Sequence, residues 1–485
     1  MRTTVAVCHK NGDNSAEAVV KTLESPSLED VCYVLATPLA IFETDNFNEL
    51  WQKHVGSPVV VGCAFPRSHT HNRPQIARIE NATFVFDGRF YPSNRRISLP
   101  KRLQLEHSGA IEKLLREYEG DFSFIVAEVD EILAARDPIG VQPFYYGENA
   151  DFVALASNRT PLWKIGIEEI NSFPPGNLAR VSQSGIEFKP VKTLRPPKPK
   201  KVTLEQAAQT LQRLLEWSIR LRIRDVKDIA VAFSGGLDSS VIGFLARKCG
   251  ANVHLFHVSL RGQRETQGAK NIAEELKLPL SCYLFENEDV EKTIPKVVEL
   301  IEEADPVKLA VGIPFYWVAE KLAESGFQVL LAGQGADELF GGYKRYVNEY
   351  VSLGAEKVED TMFSDVRRLH ESNIERDKKI CGFHDVELRL PFASFKIAEF
   401  ALGLPIPLKI EKKANGLRKL VLREMAKNVG LPVGVVEKPK KAMQYSTGVN
   451  AVLVKIAKRH GSTINEYVKK LFVEENCQLR KTRMQ

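Results

Sequence analysis

Long apolar segments are absent from this chain of 485 residues. A helix that crosses a bilayer needs about 20 consecutive apolar residues, and no such run occurs. The first residues also lack the flanks of a signal peptide. We therefore expect a cytoplasmic protein without a membrane partner.

Paired cysteines are absent as well, since none of the seven cysteines belongs to a C-x-x-C motif. The sequence thus predicts neither a zinc cage nor a disulfide framework. A strong excess of one charge is also missing, because 67 lysines and arginines are balanced by 61 acidic residues spread along the chain. This balance gives no indication of a nucleic-acid partner and suits small anionic substrates.

The composition is that of a folded protein with more than one domain. Apolar residues make up 44% of the chain and charged residues 26%, which is enough apolar material for sizeable cores. A proline-rich stretch that begins at Leu194 favours an extended linker, because proline lacks a backbone donor. We predict a first domain over residues 1–193, a linker over 194–203 and a second domain over 204–485. A homodimer is left open.

The two predicted domains differ in their patterns. Before the linker, short apolar runs alternate with turn residues and are interrupted by two helix-like segments at 15–23 and 106–118, which predicts an α+β fold. From Asp228 onward, strand-like and helix-like segments alternate, and beyond about residue 345 the pattern is mainly helical. This alternation predicts an α/β domain with a parallel sheet, whose ligands bind at the carboxyl ends of its strands.

The clearest chemical motif is S-G-G-L-D-S-S at residues 234–240, between the first predicted strand and helix of the parallel unit. Glycines let the backbone close around an anion, and the N-terminus of the next helix offers unpaired N–H groups. The motif lacks the lysine of a Walker loop but contains Asp238, which can hold Mg²⁺ against phosphates. A glycine-rich turn capped by serine has the same local appearance, so the context decides between the two interpretations.

That context is a series of further blocks in a fixed order. They are L-L-A-G-Q-G-A-D-E-L-F-G-G-Y at 330–343, H-D-V-E-L-R-L-P-F at 384–392, R-K-L-V-L-R at 418–423 and K-P-K-K-A-M at 438–443. Together with the first motif they resemble the ATP pyrophosphatase superfamily and, within it, the asparagine synthetase family.

The resemblance implies a site that uses ATP and Mg²⁺. The phosphate cradle would consist of Ser234, Gly235, Gly236, Ser239 and Ser240, and the nucleotide would be lined by Ala232, Val258, Ala332 and Gly333. Leu237, within the same motif, is a further expected nucleotide-binding residue. Asp238 and Asp337 follow two different strands and are the expected magnesium ligands. Lys440, with Lys441 as its alternative, is the expected catalytic cation at the reacting phosphate. Without the resemblance, Val258 would be interpreted as part of the sheet core, and the run of lysines would be interpreted as a solvent-exposed surface.

Gln334 is a departure from the family pattern. The family usually has glutamate within G-E-G, whereas this chain has G-Q-G at 333–335. Glutamine can orient a substrate by hydrogen bonds but cannot act as a carboxylate base. We therefore expect Gln334 and the nearby Glu338 to take part in the catalytic step in which the amine is transferred, and Glu338 is a candidate to compensate.

The first domain resembles the glutamine amidotransferase domain that precedes the synthetase domain in this family. The resemblance rests on F-D-G-R-F-Y at 86–91, Y-E-G-D-F-S-F at 118–124, A-R-D-P-I-G-V-Q-P at 135–143, A-S at 156–157 and F-P-P-G at 173–176. It implies the sandwich of the N-terminal nucleophile hydrolases. Such domains use an N-terminal cysteine, but this chain begins Met1-Arg2, and the expected asparagine-glycine pair is Asp87-Gly88. We expect the glutaminase activity to be lost, and Cys8 to be structural.

These features lead to one principal expectation. The protein is predicted to be an ATP-dependent ligase that adenylates the side-chain carboxylate of aspartate and amidates it with ammonia, releasing AMP and pyrophosphate. The alternatives are a β-lactam synthetase-like or other specialised amidating ligase, and a regulatory protein that binds nucleotide without turnover. A tRNA-modifying enzyme is less favoured, since no nucleic-acid-binding segment is evident.

Overall fold

The structure of the chain is a computed structural model that describes residues 2–24, 30–53, 56–69, 73–91, 107–196, 201–438 and 446–481. The contacts within the chain divide it into two units. The first unit comprises Met1–Thr193 with Phe472–Gln485, and the second comprises Leu194–Leu471. Within the first unit, the ring of Phe472 lies 6.0 Å from that of Trp163.

Antiparallel strands dominate the described part of the first unit. Its strands are β1 Thr3–His9, β2 Val31–Ala36, β3 Ile41–Thr44, β4 Val59–Pro66, β5 Gln75–Ile79, β6 Ala82–Tyr91, β7 Glu119–Ala127, β8 Ile132–Arg136, β9 Tyr145–Glu148, β10 Phe152–Ala156, β11 Asn171–Ser172, β12 Asn177–Ser182 and β13 Gly185–Pro190. Its helices are α1 Ala16–Leu23, α2 Phe47–Gln52, α3 His107–Glu117 and α4 Arg159–Lys164. The strands form two sheets, in the orders β11-β9-β10-β1-β4-β2-β3 and β13-β12-β8-β7-β6-β5.

Alternation along the strands gives this unit a layered core. Val61 on β4 packs with Ile125 on β7 in a core between the two sheets, whereas its neighbour Val60 packs with Val19 of α1 on the opposite face. Successive side chains of a strand point to opposite faces, so one apolar run supplies both cores. On the far side of the second sheet, Leu115 of α3 joins a third core. The order of layers is therefore helix, sheet, sheet, helix.

The second unit alternates helices with parallel strands and then becomes mainly helical. Its elements are α5 Leu204–Ile223, β14 Asp228–Ala232, α6 Leu237–Lys248, β15 Asn252–Leu260, α7 Arg264–Glu275, β16 Leu280–Phe285, α8 Asn287–Ile301, α9 Pro306–Glu324, β17 Val329–Leu331, α10 Ala336–Phe340, α11 Lys344–Leu353, α12 Ala355–Arg367, a π-helix His370–Ile374, α13 Glu375–Phe383, β18 Glu387–Arg389, α14 Phe395–Leu402, a 3₁₀-helix Ile406–Leu408, α15 Leu420–Asn428, α16 Val433–Val436 and α17 Val449–Arg459. The last helix, α18 Ile464–Lys481, continues past the end of this unit.

The parallel sheet predicted from the sequence is present, with the strand order β16-β15-β14-β17-β18. Strands β15 and β16 are added in sequence on one side of β14, and β17 then pairs with β14 on its other side. Ligands of such sheets bind where the order of strands reverses, at the carboxyl ends of the strands. The topology therefore predicts a ligand site in the crevice beyond the carboxyl ends of β14 and β17. In the described part of the chain, no helix combines the length and apolar character that a bilayer crossing requires.

Candidate active site

A cavity lies at the carboxyl edge of the parallel sheet, where β14 and β17 are neighbours. Its lining combines the segments that follow these two strands with residues of α9 and of the helical part. The lining residues are Ala232, Ser234, Asp238, Ser239, Val307, Val311, Phe315, Ala332, Gly333, Gln334, Gly335, Asp337, Glu338, Tyr343, Asn373 and Arg376. Most of the residues predicted from the sequence therefore meet in one place.

The segment after β14 forms a tight loop that leads into α6. Gly235 has a φ of +64°, and a Cβ atom there would lie 2.8 Å from the Cα of Ala269, so the loop requires glycine. The Ser239 hydroxyl accepts a hydrogen bond from the Ser234 N–H at 3.3 Å, which ties the loop to the first turn of the helix. Gly236 immediately precedes that twelve-residue helix and has no side chain to cap it. The helix N-terminus is thus available to an anion.

Two predicted metal ligands converge on a lysine that the sequence reasoning did not single out. The Nζ of Lys419 lies 2.6 Å from Oδ1 of Asp238 and 2.7 Å from Oδ1 of Asp337. The Lys419 side chain is 2% exposed, and its backbone has a φ of +60°, which is unusual for a residue other than glycine. Strained conformations of this kind persist where the surrounding structure holds them, often at functional sites. The family block at 418–423 was the available signal, because it contains Lys419.

Gly342 provides the space for this cluster, and its substitution gives a first prediction. A Cβ at this position would lie 1.8 Å from Asp337 Oδ1 and 2.4 Å from Lys419 Cε, so both side chains must move. We expect Gly342→Ala to lower the rate of carboxylate-dependent ATP–pyrophosphate exchange by about tenfold or more, because misplaced charges stabilise a transition state less well.

The matched control for this prediction is Gly382→Ala. A Cβ at Gly382, which lies within α13, would contact nothing within 4 Å. This control should keep the exchange rate of the parent. Equal rates for the two variants would contradict the assigned role of Gly342.

The predicted catalytic lysines, Lys440 and Lys441, lie outside the described residues. The chain enters that segment at Lys438, whose Nζ donates to the carbonyl of Gly235 at 2.9 Å, and burial lowers the pKa of this lysine. Arg423 donates to the carbonyl of Lys438 at 3.0 Å. On the far side of the segment, the carbonyl of Thr447 accepts from the N–H of Leu260 at 3.1 Å. Both flanks of residues 439–445 are therefore attached at the carboxyl edge of the sheet.

Gln334 is held by a buried ion pair. Its Nε2 donates to Oδ2 of Asp377 at 2.7 Å, and Nε of Arg376 donates to Oδ1 of the same carboxylate at 2.7 Å. The Asp377 side chain is fully buried. Burial raises the pKa of this carboxyl, and the neighbouring Arg376 opposes that shift. Sequence reasoning missed Asp377 and Arg376, because charged residues in a helical segment usually face solvent.

Glu338 lies in the same cavity and has two donors. The Tyr343 hydroxyl and the Asn373 amide both donate to Glu338 Oε1, the latter at 2.9 Å. Burial and the nearby Asp337 raise the pKa of Glu338. Asn373 lies in the π-helix at His370–Ile374, and such insertions are common at functional sites. The site therefore contains an oriented acid with an elevated pKa.

The other predicted residues surround the cavity without all lining it. Gly235, Gly236, Leu237 and Ser240 belong to the loop and the first turn of α6. Val258 is 6% exposed on β15 and is absent from the lining residues. Ala332 and Gly333 do line the cavity, and a Cβ on Gly333 would lie 2.9 Å from the Cβ of Asp238.

The first unit has an ion pair just before β1. The guanidinium of Arg2 lies 3.0 Å from Oδ1 of Asp87, and Gln142 Nε2 donates to Oδ2 of the same residue at 2.9 Å. The Asp87 side chain is 3% exposed. Cys8 lies within β1, and burial raises the pKa of its thiol to about 11. Neither position therefore has the properties of an activated thiolate.

Comparison with known proteins decides the family. The sequence model described as asparagine synthase matches residues 210–354 and 348–478, and that of a glutamine amidotransferase domain matches residues 101–164. A *Methanocaldococcus jannaschii* protein, provisionally named asparagine synthetase [glutamine-hydrolyzing] 1, is 31% identical over 407 residues, which are 74% of this chain and 75% of that protein. The chain belongs to the asparagine synthetase family. The family consists of carbon–nitrogen ligases, and its membership implies the use of ATP.

More distant relatives agree with this assignment. Asparagine synthetase [glutamine-hydrolyzing] 2 of *Arabidopsis thaliana* is 24% identical over 373 residues, which are 72% of this chain and 62% of that protein. The corresponding protein of *Asparagus officinalis* is 26% identical over 363 residues, covering 71% of this chain and 60% of the relative. The match thus spans somewhat less than two thirds of these plant proteins.

Two solved structures are similar to parts of this asparagine synthetase family member. A glutamine phosphoribosylpyrophosphate amidotransferase from *B. subtilis*, in complex with ADP and GMP, has a TM-score of 0.33 at 12% identity, over 58% of this chain and 65% of that chain. An NMN synthetase from *Francisella tularensis* has a TM-score of 0.28 at 12% identity, over 58% of this chain and 97% of that chain.

Proposed function

We propose that this protein adenylates the side-chain carboxylate of aspartate with ATP and amidates the adenylate with ammonia. The observation that carries the proposal is the convergence of Asp238 and Asp337 on Lys419, beside the loop at 234–236. Opposite charges at the reversal point of a parallel sheet, next to a helix N-terminus, suit a nucleoside triphosphate and its counterion.

The donor set fits Mg²⁺. Asp238 and Asp337 each place a carboxylate oxygen beside Nζ of Lys419, so two hard oxygen ligands lie close together. Mg²⁺ usually binds one or two carboxylates together with substrate phosphates. Among the described residues no group of three His, Cys, Asp or Glu side chains forms a metal site by itself, which agrees with a metal ion completed by phosphate. Bound there, Mg²⁺ would neutralise charge on the phosphates.

The remaining groups support the adenylation step. The carboxylate oxygen of the substrate attacks the α-phosphorus of ATP, and the bond to pyrophosphate breaks. The loop at 234–236 and the first turn of α6 would hold phosphate oxygens. We assign Lys440 to the developing charge at the reacting phosphate, because both flanks of its segment are attached beside the loop. Gln334 and Glu338 line the same cavity, and we assign them to the later step in which the amine is transferred.

The nitrogen donor is best explained as ammonia. We infer that the first unit is a sandwich of the N-terminal nucleophile hydrolase type, in which the position before β1 carries the nucleophile. In this chain Arg2 occupies that position, and its guanidinium is paired with the buried Asp87. The relatives are named glutamine-hydrolyzing, whereas an arginine paired in this way cannot attack an amide. The domain limits, a cytoplasmic location and a homodimer stay predictions.

A ligase for a larger carboxylate is the second candidate. Val307, Val311 and Phe315 are spaced four residues apart on α9 and give the cavity an apolar wall. Such a wall favours a ligand with an apolar part. The adenine ring of ATP is one such ligand, and a carboxylic acid bulkier than aspartate is another.

One experiment tests both candidates. With the chain of 485 residues, ATP and Mg²⁺, we expect aspartate to support pyrophosphate release, and ammonium to support asparagine formation with an equal amount of AMP. Glutamine should support less than about a tenth of that rate, because removal of a catalytic nucleophile typically costs several orders of magnitude. Amide and AMP are measured by chromatography.

The controls separate the alternatives. No pyrophosphate release with aspartate would refute the aspartate assignment, and release with larger carboxylates would favour the second candidate. Full turnover with glutamine alone would refute the inference about Arg2. Nucleotide binding without release for any carboxylate would instead indicate a regulatory protein.

A further inference from the structure

The contact between Gln334 and Asp377 determines how the Gln334 amide is oriented. An ionised carboxylate only accepts hydrogen bonds, so the amide group that meets Asp377 Oδ2 at 2.7 Å is the nitrogen. The other oxygen of Asp377 is occupied by Nε of Arg376, also at 2.7 Å. Each carboxylate oxygen therefore has its own donor, and the amide is not free to turn.

The amide oxygen of Gln334 is consequently the end left for a ligand. Gln334 lines the cavity, whereas Asp377 lies behind it and is fully buried. We propose, on the basis of the proposed function, that Asp377 is a positioning residue that holds Gln334 with its carbonyl oxygen toward the amine nucleophile. Gln334 is then an acceptor that orients ammonia for attack on the acyl-adenylate.

The chemistry of this step balances without a proton transfer to Gln334. The nitrogen lone pair attacks the acyl carbon, a C–N bond forms, and the C–O bond to AMP breaks as AMP leaves with the electron pair. The surplus proton on nitrogen passes to solvent water. The neutral amide accepts a hydrogen bond from one N–H of ammonia, which aims the lone pair at the acyl carbon.

The same geometry explains why glutamine suits this position. A glutamate at 334 would bring a second carboxylate to the place where Nε2 now lies, 2.7 Å from Asp377 Oδ2. Two like charges at that distance in a buried site repel strongly. Asp377 therefore favours glutamine over glutamate at position 334, so the two residues form a matched pair.

The matched pair is tested by reciprocal substitution in the chain of 485 residues. In Asp377→Asn, the asparagine oxygen accepts the hydrogen bond from Arg376, so the asparagine NH₂ group faces Gln334. The Gln334 amide must then rotate to present its oxygen to this NH₂ group, and its own NH₂ group points into the cavity. We expect amide formed per AMP to fall about tenfold, as for the loss of one oriented hydrogen bond, while aspartate-dependent ATP–pyrophosphate exchange stays within about threefold. Gln334→Glu alone should show a similar loss, and its KM for ammonium should rise.

Combining the two substitutions should restore amidation. In Gln334→Glu with Asp377→Asn, the asparagine NH₂ group donates to the new carboxylate, which again presents an acceptor to the cavity. We expect the double variant to recover most of the amide formed per AMP. A purely structural role of Asp377 would not produce this recovery. Gln334→Ala leaves the pair of Asp377 and Arg376 in place and should lose amidation while retaining exchange, so the test does not depend on the fold of Asp377→Asn.

Asp365→Asn is the control, because Asp365 also accepts from an arginine and a hydroxyl, those of Arg345 and Tyr346, but does not line the cavity. It should leave the ratio of amide to AMP unchanged. Full amidation by Gln334→Ala, or no recovery in the double variant, would overturn the proposal. Absence of exchange in the parent enzyme would instead refute the proposed function, so the two failures are distinguishable.

Discussion

Replacement of Asp238 by asparagine is expected to lower aspartate-dependent ATP–pyrophosphate exchange by about a hundredfold to a thousandfold, the range for removal of one preorganised electrostatic group. Asp238 follows the loop at 234–236, and its Oδ1 lies 2.6 Å from Nζ of Lys419. The asparagine keeps the shape of the side chain but removes the charge that would hold a divalent cation. The measurement is incorporation of labelled pyrophosphate into ATP at saturating aspartate.

The matched control is Asp228→Asn. Asp228 is the first residue of β14, at the end of this strand that lies away from the cavity. Its carboxylate accepts a hydrogen bond from the Asn252 side chain at 2.8 Å. This variant should exchange pyrophosphate as the parent does, within about twofold, since an exposed polar contact contributes little. If Asp238→Asn retained more than half of the parental exchange, Asp238 would not be part of the nucleotide site.

Replacement of Lys419 by methionine is expected to destabilise the second unit by about 3 kcal/mol, because it leaves two largely buried carboxylates without their shared cation. The side chains of Asp238 and Asp337 are 15% and 18% exposed, and Lys419 is 2% exposed. Adding Mg²⁺ without ATP should raise the midpoint of thermal unfolding more in this variant than in the parent, since a dicarboxylate without lysine binds a cation more readily. Differential scanning calorimetry measures both effects.

Lys413→Met serves as the control, since Lys413 forms an exposed ion pair with Glu411 at 2.9 Å. Such a pair contributes about 1 kcal/mol or less, so its loss should hardly move the unfolding midpoint. Equal stability of Lys419→Met and the parent, with the same response to Mg²⁺, would show that Lys419 does not hold the two carboxylates together.

Local sequence patterns predict much of this site, because several of its parts are local. The loop at 234–236 and Asp238 lie between one strand and one helix, and Asp337 follows another strand by the same rule. Parallel strands bring their carboxyl ends to one edge, so these residues could be expected to meet. The alternation of strands and helices likewise predicted the parallel sheet, although not the short strand β18, whose three residues carry no clear period.

The parts that the sequence did not predict are those that come from distant elements. Lys419 reaches Asp238 across 181 positions of the chain, and Asp377 reaches Gln334 across 43. Burial of these charges depends on how the helices pack against one another. Local periodicity in the sequence does not predict this packing. In a helical segment, Asp377 and Arg376 have the sequence pattern of a solvated face. Their burial follows from α13 packing beside α9, where a Cβ at Gly312 would lie 3.3 Å from Ile380 of α13.

The pair of Arg2 and Asp87 limits which residues can be introduced at position 2. Attack on glutamine by a cysteine just before β1 would need that residue at position 2, but this change alone would remove the Arg2 cation from a carboxylate that is almost fully buried. Such a loss costs about 3–5 kcal/mol, a large part of the stability of a domain. The opposite order, in which Asp87 changes first, removes the same ion pair without creating a nucleophile. Either single change is unfavourable, so a variant engineered to carry a cysteine at position 2 is expected to fold well only when Asp87 is replaced at the same time.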